Sequence, residues 1–186
     1  MISISRCNYD ILSPQVIDGI VQVGMAAFGL GMLKQEILDH IFPTDKLYLS
    51  FKGSTISGFA TAKLKAESVD LVGAAVHPDL QRRGTYLEFG LRRILFAYNA
   101  GRHTLELRIQ NPRIEAGMKS CLEVLMNQGI VRGYKVEREL RSGLYGRMLT
   151  AQRPLSGKKE IDQLYDALDY EKGDAFAFRF NMEVGI

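Results

Sequence analysis

The chain has 186 residues, 46% of them hydrophobic and 24% charged, with a formal net charge of +3 and a pI near 8.8. That length suits one domain with a substantial core, and the charge is too mild to demand a nucleic-acid partner. No apolar run approaches membrane-spanning length, and the first residues, MISISRCNYD, carry no basic-then-apolar signal. Cys7 and Cys121 have no paired or metal-ligand spacing. A cytoplasmic protein with reduced thiols, no metal and no membrane partner is the expectation.

Taken in order, Ile2 to Arg6 alternates weakly as a first strand. Ser13-Pro14 begins a helix, a hydroxyl cap followed by proline at the first helical position. Its apolar face, Val16, Ile17, Ile20, Val21, Met25 and Phe28, runs to a break at Gly29-Leu30-Gly31. A second short helix, about Met32 to Ile41, stops before Pro43. Lys46 to Lys52 and Ile56 to Leu64 read as the arms of a hairpin around Gly53-Ser54. Val69 to Val76 is apolar except for Asp70, which predicts a central strand buried on both faces. A loop follows with Gln81, Arg82, Arg83 and Gly84, then a helix on which Leu87, Leu91, Ile94, Leu95 and Tyr98 form a stripe.

Thr104 to Ile109 predicts a strand parallel to its predecessor, reached by the crossover helix. Asn111-Pro112 starts a helix carrying Met118, Leu122, Leu125 and Met126, closed by Gly129. Tyr134 to Leu140 and Leu144 to Leu149, joined by Ser142-Gly143, read as a final hairpin. The order is β-α-α-β-β-β-α-β-α-β-β, an α/β (α+β) fold with a mixed central sheet and flanking helices over residues 1–150. Residues 151–186 add a helix-strand extension. Ile161, Leu164, Tyr165 and Leu168 share one helical face, and Phe176, Phe178, Phe180, Met182 and Val184 alternate with Ala177, Arg179, Asn181 and Glu183. So apolar a strand face must be covered, either at the sheet's own edge or by a second subunit in a homodimer.

The loop between the apolar strand and the long helix suits an anion. The first helical amides have no internal partner, the helix dipole is positive there, and Gly84 lets the backbone approach a ligand closely. The stretch V-x-P-x-x-Q-R-R-G-x-Y-x-x-x-x-L resembles the acyl-CoA loop of the GNAT N-acetyltransferase superfamily, whose signature is Q/R-x-x-G-x-G/A. Gln81, Arg82, Arg83, Gly84, Thr85 and Tyr86 match it, Tyr86 standing where a small residue is usual. More weakly, the resemblance extends over residues 1–150. It implies that Arg82 through Leu87 hold the pyrophosphate of acetyl-CoA. It implies also that pantetheine pairs like an added strand with Ala74, Ala75 and Val76, opposite Asn111. A backbone N–H near Val76 would then face the oxyanion.

The implied reaction is direct transfer of an acetyl group to the amine of a small molecule or peptide. An alkyl ammonium, with a pKa of about 10.4, must first lose a proton. Asp70, eleven residues before Gln81, is the expected base, with Glu67 a weaker substitute; burial is expected to raise its pKa. The family's usual tyrosine acid on the next helix falls at Met118 or Leu125, neither of which can donate a proton. Tyr134 and Tyr145 are the candidate stand-ins, each also readable as a packed strand tyrosine. Cys121 as a nucleophile has no histidine near it in sequence, and His77 reads more simply as a surface residue before Pro78. The other class left open is a non-catalytic CoA-binding sensor or interaction module. A nucleic-acid-binding domain lacks an aromatic-basic motif, and a dinucleotide oxidoreductase lacks the G-x-G-x-x-G series.

Overall fold

A computed structural model of the chain describes every residue except 30, 31, 82, 151 and 186, and the backbone but not the side chain of Cys7. As far as residue 141 its elements follow the chain order expected, apart from a division within residues 69–76. Strand β1 (Ile2–Ser5) is followed by helices α1 (Pro14–Phe28) and α2 (Lys34–Asp39), then the antiparallel pair β2 (Lys46–Lys52) and β3 (Thr55–Leu64). Ser13 caps α1 with its hydroxyl accepting from the Val16 amide, and Pro14 takes the first helical position. The expected break after α1 falls partly on Leu30 and Gly31, outside the described residues.

The apolar run after Lys65 is not one strand. It divides into β4 (Ser68–Asp70) and β5 (Ala74–Val76). Strand β4 pairs with β3 on one side and, in parallel, with β6 (Thr104–Ile109) on the other. The Leu71 amide still donates to the Glu106 carbonyl. From Gly73 onward the chain belongs to β3 alone: the Thr61 amide donates to the Gly73 carbonyl, and the Gly73 amide donates back to the Thr61 hydroxyl. Strand β5 pairs with β3 and with nothing else among the described residues. The sheet therefore opens between β5 and the second half of β6.

Helix α3 (Thr85–Asn99) is the crossover, and α4 (Pro112–Asn127) follows β6. The buried face of α3 is Phe89, Gly90, Arg93, Ile94 and Ala97, rotated from the apolar stripe expected: Ile94 is shared, Leu91 and Leu95 are half-buried against the core, and Leu87 is exposed. Tertiary packing against α4 and the sheet decides which face is inside, and Gly90 admits the Cys121 side chain there. Helices α1 and α2 cover the other face, packing on Leu47, Leu49, Phe59 and Ala75.

The last strands correct the sequence reading. Strand β7 (Val131–Arg141) forms, but its partner is β8 (Ala175–Val184) rather than 144–149. The sheet order is β1-β2-β3-β4-β6-β8-β7, with β5 beside β3. The apolar face of the C-terminal strand finds its cover within the chain: Phe176, Phe178, Phe180 and Met182 lie in the core with Leu105, Leu107, Met118 and Leu122. It occupies the interior of the sheet, so neither the sheet edge nor a second subunit is needed to bury it. Residues 142–174 are an excursion between β7 and β8 that contains α5 (Lys159–Leu164). Residues 147–149 form no strand because the buried Gln110 side chain takes their backbone bonds. Its amide donates to the Arg147 carbonyl and accepts from the Leu149 amide. The Asp174 carboxylate ties the excursion's two ends, accepting from Gly143 and Asp169 amides.

Removal of residues 155–186 should therefore strip β6 and β7 of their shared neighbour and abolish cooperative thermal unfolding. A truncated chain that still melts in one sharp transition would contradict this placement of β8.

Candidate functional site

The opening of the sheet is the mouth of a cavity of about 840 Å³. Its walls are the inner edge of β5, the end of β6 to Asn111, the turn into α3, the facing ends of α1 and α2, and residues of the excursion. Backbone alternation sets which groups of β5 face it. The Thr61 amide bonds Gly73 and the His77 amide bonds Ser57, on the β3 side. The polar groups of Ala75 thus point to β3, and those of Ala74 and Val76 point into the opening. One is already used, since the Gln81 side-chain amide donates to the Val76 carbonyl at 3.1 Å. The outward amides of Ala74 and Val76 are the unpaired edge that a ligand can take up.

Gly84 caps α3 in the left-handed region, φ 81°, where a side chain costs about 1–2 kcal/mol. The amides of Thr85, Tyr86 and Leu87 open the helix and have no carbonyl one turn back. Of the residues expected to hold the cofactor, Ala74, Val76, Gln81, Gly84, Thr85, Tyr86 and Asn111 all line the cavity. Arg83 is exposed beside it, the Leu87 side chain points outward, and Arg82 lies outside the described residues. Asn111 spends its side chain on α4, accepting from the Arg113 amide at 3.0 Å. Tyr86 does not obstruct the turn. Its ring packs against α4 at Gly117, where even a methyl group would approach it to 3.2 Å.

The expected catalytic residues separate. Asp70 is buried, but it is not on the cavity wall; its carboxylate is held by Arg108 and, at 3.2 Å, by Lys65. Both cations meet its Oδ2, and the carboxylate stands off the cavity, so the unpaired acid expected in this strand is an anchor for Arg108, which does line the cavity. Tyr134 packs on Phe180 with ring centroids 6.3 Å apart, and lies off the cavity. Tyr145 lines it, donates its hydroxyl to the Arg108 carbonyl at 2.7 Å, and has its pKa pushed up to about 12 by burial. Burial likewise lifts the Cys121 thiol to about 11, the state of a core thiol rather than a nucleophile. His77 lies off the wall beside Asp79.

Sequence reasoning missed His40, at the end of α2. It faces the cavity, and its Nδ1 lies 2.6 Å from the Glu36 carbonyl. A donating Nδ1–H fixes the tautomer and leaves Nε2 as a lone-pair acceptor. No motif marks it. Nor does one mark the Glu36–Arg147 pair, at 2.8 and 2.9 Å, which joins α2 to the excursion over the same end of the cavity. The Leu33 amide and then Arg147 hold the Glu36 carboxyl below the usual range.

No family model and no curated protein matches the chain. Solved structures do. The ribosomal-protein-S18-alanine N-acetyltransferase of Escherichia coli is similar over 100% of this chain and 96% of its own, with a TM-score of 0.62 and 14% identity. A Bacillus subtilis acetyltransferase in complex with CoA matches 88% of this chain and 91% of its own at a TM-score of 0.55 and 16% identity. Chaetomium thermophilum Naa20, in complex with a bisubstrate analogue, covers 98% of this chain and 87% of its own at 0.55 and 13%. The chain has the GNAT acetyltransferase fold that the loop resemblance implied.

The buried protons predict an alkaline limit. Tyr48 and Tyr145 ionise near 10 when unfolded and near 12 in the fold, and Cys121 near 9 against about 11. The native state binds more protons between those values, so stability present below pH 9 is lost as pH rises toward 12. By pH 10.5 the expected loss is about 1 kcal/mol for a fully shielded tyrosine and about 2 kcal/mol for Cys121. Urea midpoints at pH 8 and 10.5 test it. Tyr48→Phe should decline less than the parent, and an equal decline would contradict the assignment.

Proposed function

We propose that the chain is an acyl-CoA-dependent N-acyltransferase that moves an acetyl group from acetyl-CoA to the amine of a small molecule or peptide by direct transfer. The observation that carries this reading is the unpaired edge of β5, facing a cavity that begins at the left-handed Gly84 turn. The free amides of Thr85, Tyr86 and Leu87, with Arg83 and the undescribed Arg82, suit the pyrophosphate. The Ala74 and Val76 edge suits the two amides of pantetheine.

In this reading the Val76 N–H and the Ala74 carbonyl pair with pantetheine, which leaves the outward N–H of Ala74, farther from the α3 turn, to meet negative charge on the thioester oxygen. His40 Nε2, held ready by the Glu36 carbonyl, takes the proton from the acceptor ammonium, directly or through water. Tyr145 keeps its proton through the working range, because burial lifts its pKa to about 12, and supplies it to the departing thiolate. Asp70 serves by fixing Arg108, whose carbonyl orients the Tyr145 hydroxyl. The Glu36–Arg147 pair limits what enters on the acceptor side.

Thermal unfolding with and without acetyl-CoA tests the site. Ligand at 100 times its dissociation constant should add about 2.7 kcal/mol to native stability, and Gly84→Asp should abolish the gain. No gain at millimolar acetyl-CoA would overturn the reading. With an accepted amine in hand, thiol release gives the second test. Tyr145→Phe and His40→Gln are each expected to lower kcat by about 10²–10⁴-fold, and unchanged kcat in both would remove them from the chemistry.

A further inference from the structure

Arg93 is a buried cation with no counter-ion among the described residues. It lies on the inner face of α3, seven residues and so two turns beyond Tyr86, and is 2% exposed with its side chain on the cavity wall. Its Nε donates to the Phe89 carbonyl at 3.4 Å, and its guanidinium adjoins the Tyr86 hydroxyl. No carboxylate among the described residues pairs with it. The titratable groups that face it from the neighbouring elements are Tyr48 on β2 and Cys121 on α4, and burial keeps both protonated and neutral. An arginine held away from water with no carboxylate beside it is unfavourable unless an anion completes it. The cavity it lines is where that anion must come from.

The ligand's chemistry narrows the choice. The pantetheine arm carries no charge. The phosphates belong at the start of α3, where the backbone is about 12 Å from that of Arg93 along the helix axis at 1.5 Å per residue, and the guanidinium, bonded to the Phe89 carbonyl, lies inward of it against α4. The acceptor end lies on the α1–α2 face of the sheet, where Glu36 and Arg147 already neutralise one another. Arg93 sits on the opposite, α3–α4 face. What remains is the acyl group itself.

We propose that the cavity is built for an acyl-CoA whose short acyl group ends in a carboxylate, received by the Arg93 fork with the Tyr86 hydroxyl as a further donor. This rests on the CoA-binding reading above and widens its donor from acetyl to the dicarboxylic class. Transfer is unchanged in kind: the acceptor nitrogen forms an amide with the acyl carbon, the C–S bond breaks, and the distal carboxylate keeps its charge. Tyr86 in place of a small residue, and Gly117 making room for it, belong to the same device.

Calorimetric titration of the full chain with acetyl-CoA, succinyl-CoA and 4-methylpentanoyl-CoA, the last an uncharged shape match for succinyl, tests it. Succinyl-CoA should bind about tenfold or more tightly than 4-methylpentanoyl-CoA, as expected for a charge-assisted pair. In Arg93→Met the two esters should converge to within about twofold, with Arg93→Lys intermediate and circular dichroism confirming the fold of each. Equal affinities in the parent protein, with acetyl-CoA still binding, would overturn the carboxylate site and leave the CoA reading standing. Failure of all three esters to bind would overturn the CoA reading and the proposal with it.

Discussion

Between Leu71 and Gly73 the chain exchanges one neighbour for another, and the sheet is left with an unfilled place. Strand β4 is paired on both sides, while β5, three residues later, is paired on one. Buried backbone amides are seldom left without partners, so an interior strand edge is a standing demand for something extended and hydrogen-bonding. The elements around it respect that demand. Helix α3 begins at its mouth, α1 and α2 stop short of it, and the excursion after β7 bends round it without filling it. The cavity is thus a consequence of strand pairing, not a hollow left by poor packing.

Charge is distributed differently on the two faces of this opening. On the α1–α2 face it is compensated: Asp70 with Arg108 and Lys65, Glu106 with Lys65 and Arg179, Glu36 with Arg147. These pairs are partly exposed, so their value lies less in stability than in holding Arg108, Tyr145 and α2 in register. On the α3–α4 face the pattern differs. There the buried Glu115 has Lys119 and Arg138 beside it, and Arg93 is the buried charge left without a carboxylate among the described residues.

Much of this was legible along the chain. Gly84 between two arginines and a helix marked the turn, and the alternation of Thr104–Ile109 gave a strand whose parallel pairing followed from the crossover. The C-terminal alternation was just as clear, yet its place was not, because periodicity reports that a face is buried without reporting by what. The 144–149 segment had the local look of a strand and lost its bonds to the Gln110 side chain, a contact that no local pattern encodes. Asp70 was found as the one acid in an apolar strand. The two cations that hold it come from positions scarcely suggestive by themselves, Lys65 in a turn and Arg108 on β6. His40 and Arg93 carried no motif. Arg93 had one faint sign, a charge on the helix line of Phe89, Gly90 and Ala97, visible only once the buried face is known.

Amide hydrogen exchange across residues 73–77, with and without acetyl-CoA, addresses the central claim directly. The account predicts that the Ala74 and Val76 amides exchange readily in the free protein and become protected when the ligand is bound, while Ala75, already bonded to β3, changes little. Bound acetyl-CoA with no added protection at Ala74 and Val76 would show that the edge of β5 is not where the ligand pairs.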